Sequence, residues 1–205
     1  MTIRLHRGDL PDLSAYTGAV AVDTEAMGLD PHRDRLCVVQ VSAGDGSADV
    51  VQIAAGQTEA PNIARLLADR SIIKIFHFAR FDVGILAKTF GVMAEPIYCT
   101  KIASRIARTY TDKHGLKDLA RELLSIDLSK QQQLSDWGAE QLSEAQVAYA
   151  ATDVLHLHAL KEKLDAILAR EGRTELASAC FRFLPDRVRL DLAGWADQDI
   201  FSHSS

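Results

Sequence analysis

Apolar residues in the first half of the chain come in short runs broken by polar, turn-forming segments; in the second half they recur at three- and four-residue spacing. AVAVDT (19–24), LCVVQVSA (36–43) and ADVVQI (48–53) are rich in β-branched residues and separated by stretches such as AGDGS. They predict three strands, with links short enough for antiparallel neighbours. Pro61 opens a predicted helix over 61–69 that puts Ile63, Leu66 and Leu67 on one face. IIKIF (72–76) predicts a fourth, buried strand, 79–90 a helix ended by Gly91, 97–99 a short strand and 101–109 a further helix. Segments 115–123, 143–170 and 172–180 continue as helices. The remainder, FRFLPDRVRLDLAGWADQDIFSHSS, carries aromatics without a clear period and predicts an irregular tail over 181–205. The pattern is that of an α/β protein, with a mixed central sheet flanked by helices and a helical C-terminal half.

Length changes this picture little: 205 residues suit one domain with a sizeable core. The first residues, MTIRLHRGDLP, lack the apolar run of a signal peptide, and no stretch approaches the roughly 20 apolar residues of a membrane span. Cys37, Cys99 and Cys180 are odd in number and far apart, forming neither a disulfide ladder nor a zinc pattern, so the reading expects a reducing cytoplasm and no membrane. A net charge of −5 counts against gripping a long nucleic acid, because neutralising phosphates supplies much of that affinity. A short oligonucleotide asks for less.

The chemistry-bearing residues are carboxylates. Asp23 and Glu25, in VDTE at the end of the first predicted strand, are two residues apart and share a face. Like charges so close repel unless a cation lies between them, and paired hard oxygens suit Mg²⁺ or Mn²⁺. Asp82, in FHFARFDVGIL, falls on the first turns of a helix entering from a buried strand. Tyr149 and Asp153, in QVAYAATDVLHL, stand at i and i+4 and share a helix face. Each signal alone has an ordinary reading: an acidic strand end, an acid favoured by a helix dipole, an aromatic beside a surface charge.

Together, and in this chain order, D-x-E, H-x-x-x-x-D and Y-x-x-x-D resemble the DEDDy branch of the DEDD exonucleases, the superfamily of ribonuclease D and proofreading exonuclease domains. LSKQQQLSDWG (128–138), followed by QLSEAQVAYAATDV, and KHGLKDLARELL (113–124) extend the likeness to ribonuclease D over roughly residues 15–170. The resemblance implies a ribonuclease-H-like exonuclease fold and two divalent ions, Mg²⁺ or Mn²⁺. Asp23, Glu25, Asp82 and Asp153 would hold the ions, Tyr149 would orient the attacking water, and nucleoside 5′-monophosphates would be released.

VDTEAMGLDP (22–31) is also similar to the first motif of oligoribonuclease, where the leucine wedges between two bases; carried over, that residue is Leu29. A loop leucine covering the core is the other reading of Leu29. A tyrosine-type motif, this wedge and a bare catalytic domain over 1–205 look like the nanoRNase C family. That likeness implies short single-stranded RNA, notably dinucleotides, as substrate and a ring-shaped homo-oligomer. Residues 181–205 would then be an interface or a strap. Thr24 is a candidate substrate contact, and His77 and Phe78 are candidates at the 3′ nucleotide, with Phe78 offering a stacking face. Lys113, His114, Lys117 and Lys130 are candidates for the far phosphate. Trp137 reads as packing under its loop. Two other functions stay open: trimming of longer RNA or DNA 3′ ends as in ribonuclease D, and an inactive nucleic-acid-binding module.

Overall fold

The β-branched runs do form the sheet that the pattern predicts. The computed structural model describes residues 2–129, 131–132 and 134–203. Strands β1 (Thr2–Arg7), β2 (Ala19–Ala26), β3 (Leu36–Ser42), β4 (Ser47–Gln52), β5 (Ile73–Phe76) and β6 (Ile97–Cys99) make one six-stranded sheet in the order β1-β4-β3-β2-β5-β6. β2, β3 and β4 pair antiparallel; β5 and β6 add parallel to β2, and β1 pairs parallel with β4. β3, LCVVQVS, is buried at every position, as a central strand covered on both faces must be.

β1 was not expected from the sequence. Its apolar residues are only Ile3 and Leu5, alternating with charged or polar neighbours, and Leu5 is 46% exposed. Such a weak period-two signal suits an edge strand and is easily read as scattered charge.

The helices are α1 (Pro61–Ala68), α2 (Ala79–Phe90), α3 (Thr100–Ala107), α4 (Leu116–Leu119), α5 (Glu144–Leu155), α6 (Leu157–Arg170) and α7 (Thr174–Leu190). α4 runs on through Ala120–Leu124 as wider π-type turns, and α7 is followed by Asp191–Trp195, which kinks at Gly194 (φ 101°). Two expectations are corrected. The single helix over 143–170 is two, α5 and α6, which meet at His156, at φ −107°, ψ −3°. Residues 181–190, read as the start of an irregular tail, are the second half of α7. Pro185 lies inside this helix, where its missing N–H costs a hydrogen bond. Burial of Phe181, Leu184, Pro185 and Val188 against α2, α3 and β6 holds the helix together regardless.

α5 lies across β1, β2, β3 and β4, whereas α2 packs on β3, β5 and β6 and beneath α7. Between β5 and β6 the fully buried Lys74 Nζ donates to the carbonyls of Asp69 (2.7 Å), Ile72 (2.8 Å) and Glu95. That cage satisfies the ammonium at the end of the sheet remote from α5.

Candidate active site

β2 supplies the first two carboxylates. Alternation puts Asp23 and Glu25 on the face that α5 covers, opposite Gln40 and Val38 of β3, and the register shifts immediately afterwards at Glu25/Ala26. α5 supplies the next two groups. Its start is fixed by a capping box: Ser143 Oγ accepts from the Gln146 amide, whose side chain in turn accepts from the Ser143 amide at 2.9 Å. Gln146 Nε2 also donates to the Asp136 carbonyl (3.0 Å), anchoring the preceding loop. From this fixed start Tyr149 and Asp153 reach the sheet one turn apart. Oxygens of Asp23, Glu25 and Asp153 all lie within 4.8 Å of one another.

Asp82 arrives from α2. The chain turns from β5 into that helix through Phe78, a non-glycine residue held at φ 70°, ψ 42°. Left-handed backbone at such a residue is strained and persists only where its surroundings impose it. Asp82 is buried and accepts a hydrogen bond from Thr24 Oγ1 at 2.6 Å. It therefore stands beside the trio, not within it. The Thr24 hydroxyl, a candidate for substrate, is engaged by this carboxylate.

The electrostatics show what the cluster lacks. Burial, then the neighbouring Asp82, Asp153 and Glu25, push the Asp23 carboxyl well above its ordinary range. Burial and the same neighbours push Glu25 up to about 9. Burial raises Asp82 to about 7 against the pull of Thr24, and Asp153 to about 7 against that of Tyr149. Burial and Asp153 raise the Tyr149 phenol too, so it stays protonated. Carboxylates that resist ionising together are a donor set that could hold hard divalent cations, which would replace protons as the compensating charge. The donor set fits Mg²⁺ or Mn²⁺.

His77 lies at the end of β5. Thr100 Oγ1 donates to the Phe76 carbonyl (3.2 Å), so it accepts from His77 Nδ1 (2.9 Å), which assigns the proton to Nδ1 and leaves Nε2 an acceptor. Burial and Lys101 lower its pKa to about 3, keeping the ring neutral. Phe78 is 46% exposed, with Lys101 Nζ 4.4 Å from its ring centre. Lys101 was missed in the sequence, where one lysine opening a helix carries no signal.

Lys113 and His114 belong to a separate network, and Lys117 lies on α4. The buried Arg108 donates to the Lys113 carbonyl (2.8 Å) and to Ser104 Oγ (2.9 Å), and pairs with Glu122; Ser104 Oγ also meets His114 Nδ1 at 2.8 Å. This ties down the loop between α3 and α4, with the Lys113 side chain exposed. Lys130 lies outside the described residues.

Trp137 is packing, as expected: it is 4% exposed, with its ring centre 6.1 Å from that of Tyr149. Gly138 lets this loop close on the β2–β3 loop, since a Cβ there would come 2.5 Å from Met27 Sδ. At Gly28 the Asp34 carboxylate packs close, its Oδ2 2.2 Å from where a Cβ would stand. The tight loop turns Leu29 outward at 83% exposed, so it does not cover the core.

A family model described as "3'-5' exonuclease" matches residues 10–169. Ribonuclease D of Granulibacter bethesdensis is 35% identical over 167 residues, covering 82% of this chain and 42% of that protein. Ribonuclease D of Acidiphilium cryptum is 37% identical over 166 residues, covering 81% of this chain and 42% of that protein. The chain thus spans about two-fifths of the length of these curated relatives. Brucella melitensis NrnC with bound Mg²⁺ superposes with a TM-score of 0.97 at 62% identity, covering 100% of both chains. The same protein bound to pGG does so at 0.97 and 63%, again over both whole chains. Escherichia coli RNase D, at 24% identity and TM-score 0.76 over 88% of this chain, shares the fold. Among the described residues no helix is long and apolar enough to cross a membrane.

Proposed function

The chain belongs to the 3′-5′ exonuclease family, and on that footing we propose that it is a two-metal-ion 3′→5′ exoribonuclease. Its substrates are short oligoribonucleotides, notably dinucleotides, and its products nucleoside 5′-monophosphates. The observation that carries the reading is the convergence of Asp23, Glu25 and Asp153 within 4.8 Å, with Tyr149 one helical turn from Asp153.

Asp23, Glu25 and Asp153 would hold one ion, and Asp82, braced by Thr24, would hold the second with Asp23. When bound, two divalent ions lower the pKa of water and neutralise charge on the attacking and leaving oxygens. Tyr149, kept protonated, orients the water that attacks the scissile phosphorus. The neutral His77 offers Nε2 as an acceptor near the 3′ nucleotide, and the exposed face of Phe78 stacks on its base. Leu29, projecting from the loop after β2, separates the two bases. Lys113, His114 and Lys117 are the candidates for the far phosphate.

The preference for dinucleotides is supported by the likeness to an NrnC bound to pGG, a dinucleotide with a 5′ phosphate, over the full length of both chains. The net charge of −5 agrees with a short substrate. We further propose that residues 1–205 act as one catalytic domain in a cytoplasmic homo-oligomer, a ring, with α7 and the residues after it at the interface. A groove of about 870 Å³ between β6, α6 and α7, lined by Tyr98, Leu168, Ala177 and Phe181, is the apolar surface such contacts would cover.

A second reading, trimming of longer 3′ ends, draws support from the ribonuclease D relatives. Initial rates with Mn²⁺ on 5′-phosphorylated RNAs of two to about ten nucleotides, below saturation, decide between them. The proposed function expects a steep preference for the dinucleotide. Rates flat or rising with length would select the trimmer, and no divalent-dependent hydrolysis at any length would remove both.

A further inference from the structure

β3 is the most buried strand of the sheet, and its centre carries a glutamine. Gln40 is 0% exposed, yet among the described residues neither its Nε2 nor its Oε1 finds a hydrogen-bond partner. The other polar side chain facing this way on β3 is satisfied: Ser42 Oγ donates to the Ser47 carbonyl at 2.6 Å. Burying an unpaired carboxamide is costly, and an apolar residue of the same volume would avoid that cost in a strand built mainly of Val.

Register says what the amide is near. Gln40 is the direct cross-strand partner of Asp23 on β2 and of Val50 on β4, so the three side chains stand in one row on the face beneath α5. Val50 offers nothing to bond. The polar neighbour in the row is Asp23, whose carboxylate meets Glu25 and Asp153.

We infer that Gln40 is a positioning residue for the divalent-ion site, its amide N–H groups holding the Asp23 carboxylate through one ordered water in the rotamer that presents its oxygens to the ions. A neutral donor suits this place. It supports the ionised carboxylate without adding a positive charge that would compete with the ions, and orienting partners of this kind contribute substantially to metal affinity. The inference rests on the proposed function, since it assumes that the carboxylates bind metal.

The test titrates Mn²⁺ calorimetrically into wild type, Gln40→Met and Gln40→Asn, and melts each in EDTA and in Mn²⁺. Methionine fills the space without a donor; asparagine keeps the amide. The expected result is a metal-free Tm for Gln40→Met equal to or above wild type, with Mn²⁺ affinity weakened about tenfold or more. Gln40→Asn should fall between the two, and kcat should drop while KM for a 5′-phosphorylated dinucleotide holds. Wild-type Mn²⁺ affinity in Gln40→Met would overturn the inference. So would a metal-free Gln40→Met that melts well below wild type, because the amide would then be serving the fold. If wild type itself binds no Mn²⁺, the proposed function fails first.

Discussion

The hydroxyl of Thr24 donates to the carboxylate of Asp82 across 2.6 Å, linking β2 to the first turns of α2. Thr24 lies between Asp23 and Glu25 and points to the other face of the strand. One tripeptide thus presents two carboxylates to α5 and braces a third on α2. Replacing Thr24 with valine keeps the shape and removes the donor. We expect Asp82, already raised to about 7, to be harder still to ionise. Activity should fall about tenfold, with a higher Mn²⁺ requirement and a cost of about 1–2 kcal/mol in stability. Metal-dependence curves and thermal melts of Thr24→Val check this; an unchanged Mn²⁺ requirement would show the hydrogen bond to be incidental.

Asp23→Ala and Asp153→Ala should abolish turnover, by more than roughly 10³-fold, while the protein stays folded. Both remove a member of the carboxylate trio and relieve like-charge repulsion at the same time. Tyr149→Phe should cost less, about 10²-fold, because it removes only the group that orders water. Single-turnover hydrolysis alongside circular dichroism measures both quantities. An Asp23→Ala protein as active as wild type would sink the assignment.

The metal-free protein should lose stability as pH rises. Glu25 (about 9), Asp82 (about 7) and Asp153 (about 7) all have folded-state values above those of the unfolded chain. From about pH 4, where the unfolded carboxyls ionise, up to these values, the folded state holds more protons than the unfolded one. Their contribution is therefore full below about pH 4 and is lost as pH climbs through 7 and on towards 9. Divalent ions should reverse the trend, since they bind the ionised form. Melting temperatures from pH 5 to 9 in EDTA should decline, and the increment from Mn²⁺ should grow over the same range. A flat EDTA profile with no Mn²⁺ increment would mean the carboxylates are already compensated within the protein.

Leu29→Ala should leave the melting temperature unchanged, because a side chain 83% exposed contributes little packing. On a dinucleotide, kcat/KM should fall about tenfold, in keeping with about 1–3 kcal/mol for a contact to a base face. Longer substrates, held by more phosphates, should be affected less. Equal losses at every length would remove the wedge role.

The strands that build the site were legible because burial on both faces writes itself as β-branched runs: β2, β3 and β4 fall where AVAVDT, LCVVQVSA and ADVVQI stand. β1 was not, since an edge strand with Ile3 and Leu5 alone carries too little pattern. The second half of α7 was hidden by Pro185, a residue that argues locally against the helix that tertiary packing sustains. Asp23, Glu25, Asp82, Tyr149 and Asp153 were found as motifs. Lys101, Arg108 and Gln40 were not, because a single lysine, arginine or glutamine says nothing until its neighbours are known.

The sequence by itself determined which side chains could do chemistry and on which elements they ride, since periodicities of two and of about 3.6 fix which residues share a face within one element. It could not decide distances between elements. That Asp153 meets Asp23 and Glu25 within 4.8 Å, that Asp82 stands apart on Thr24, and that Leu29 projects while Trp137 packs were settled only when α2 and α5 were laid across the sheet. The contacts of Asp82 with Thr24 and of Asp153 with Asp23 and Glu25 join residues 58 or more positions apart, and their geometry is set by the close packing of a shared core, which no local pattern encodes.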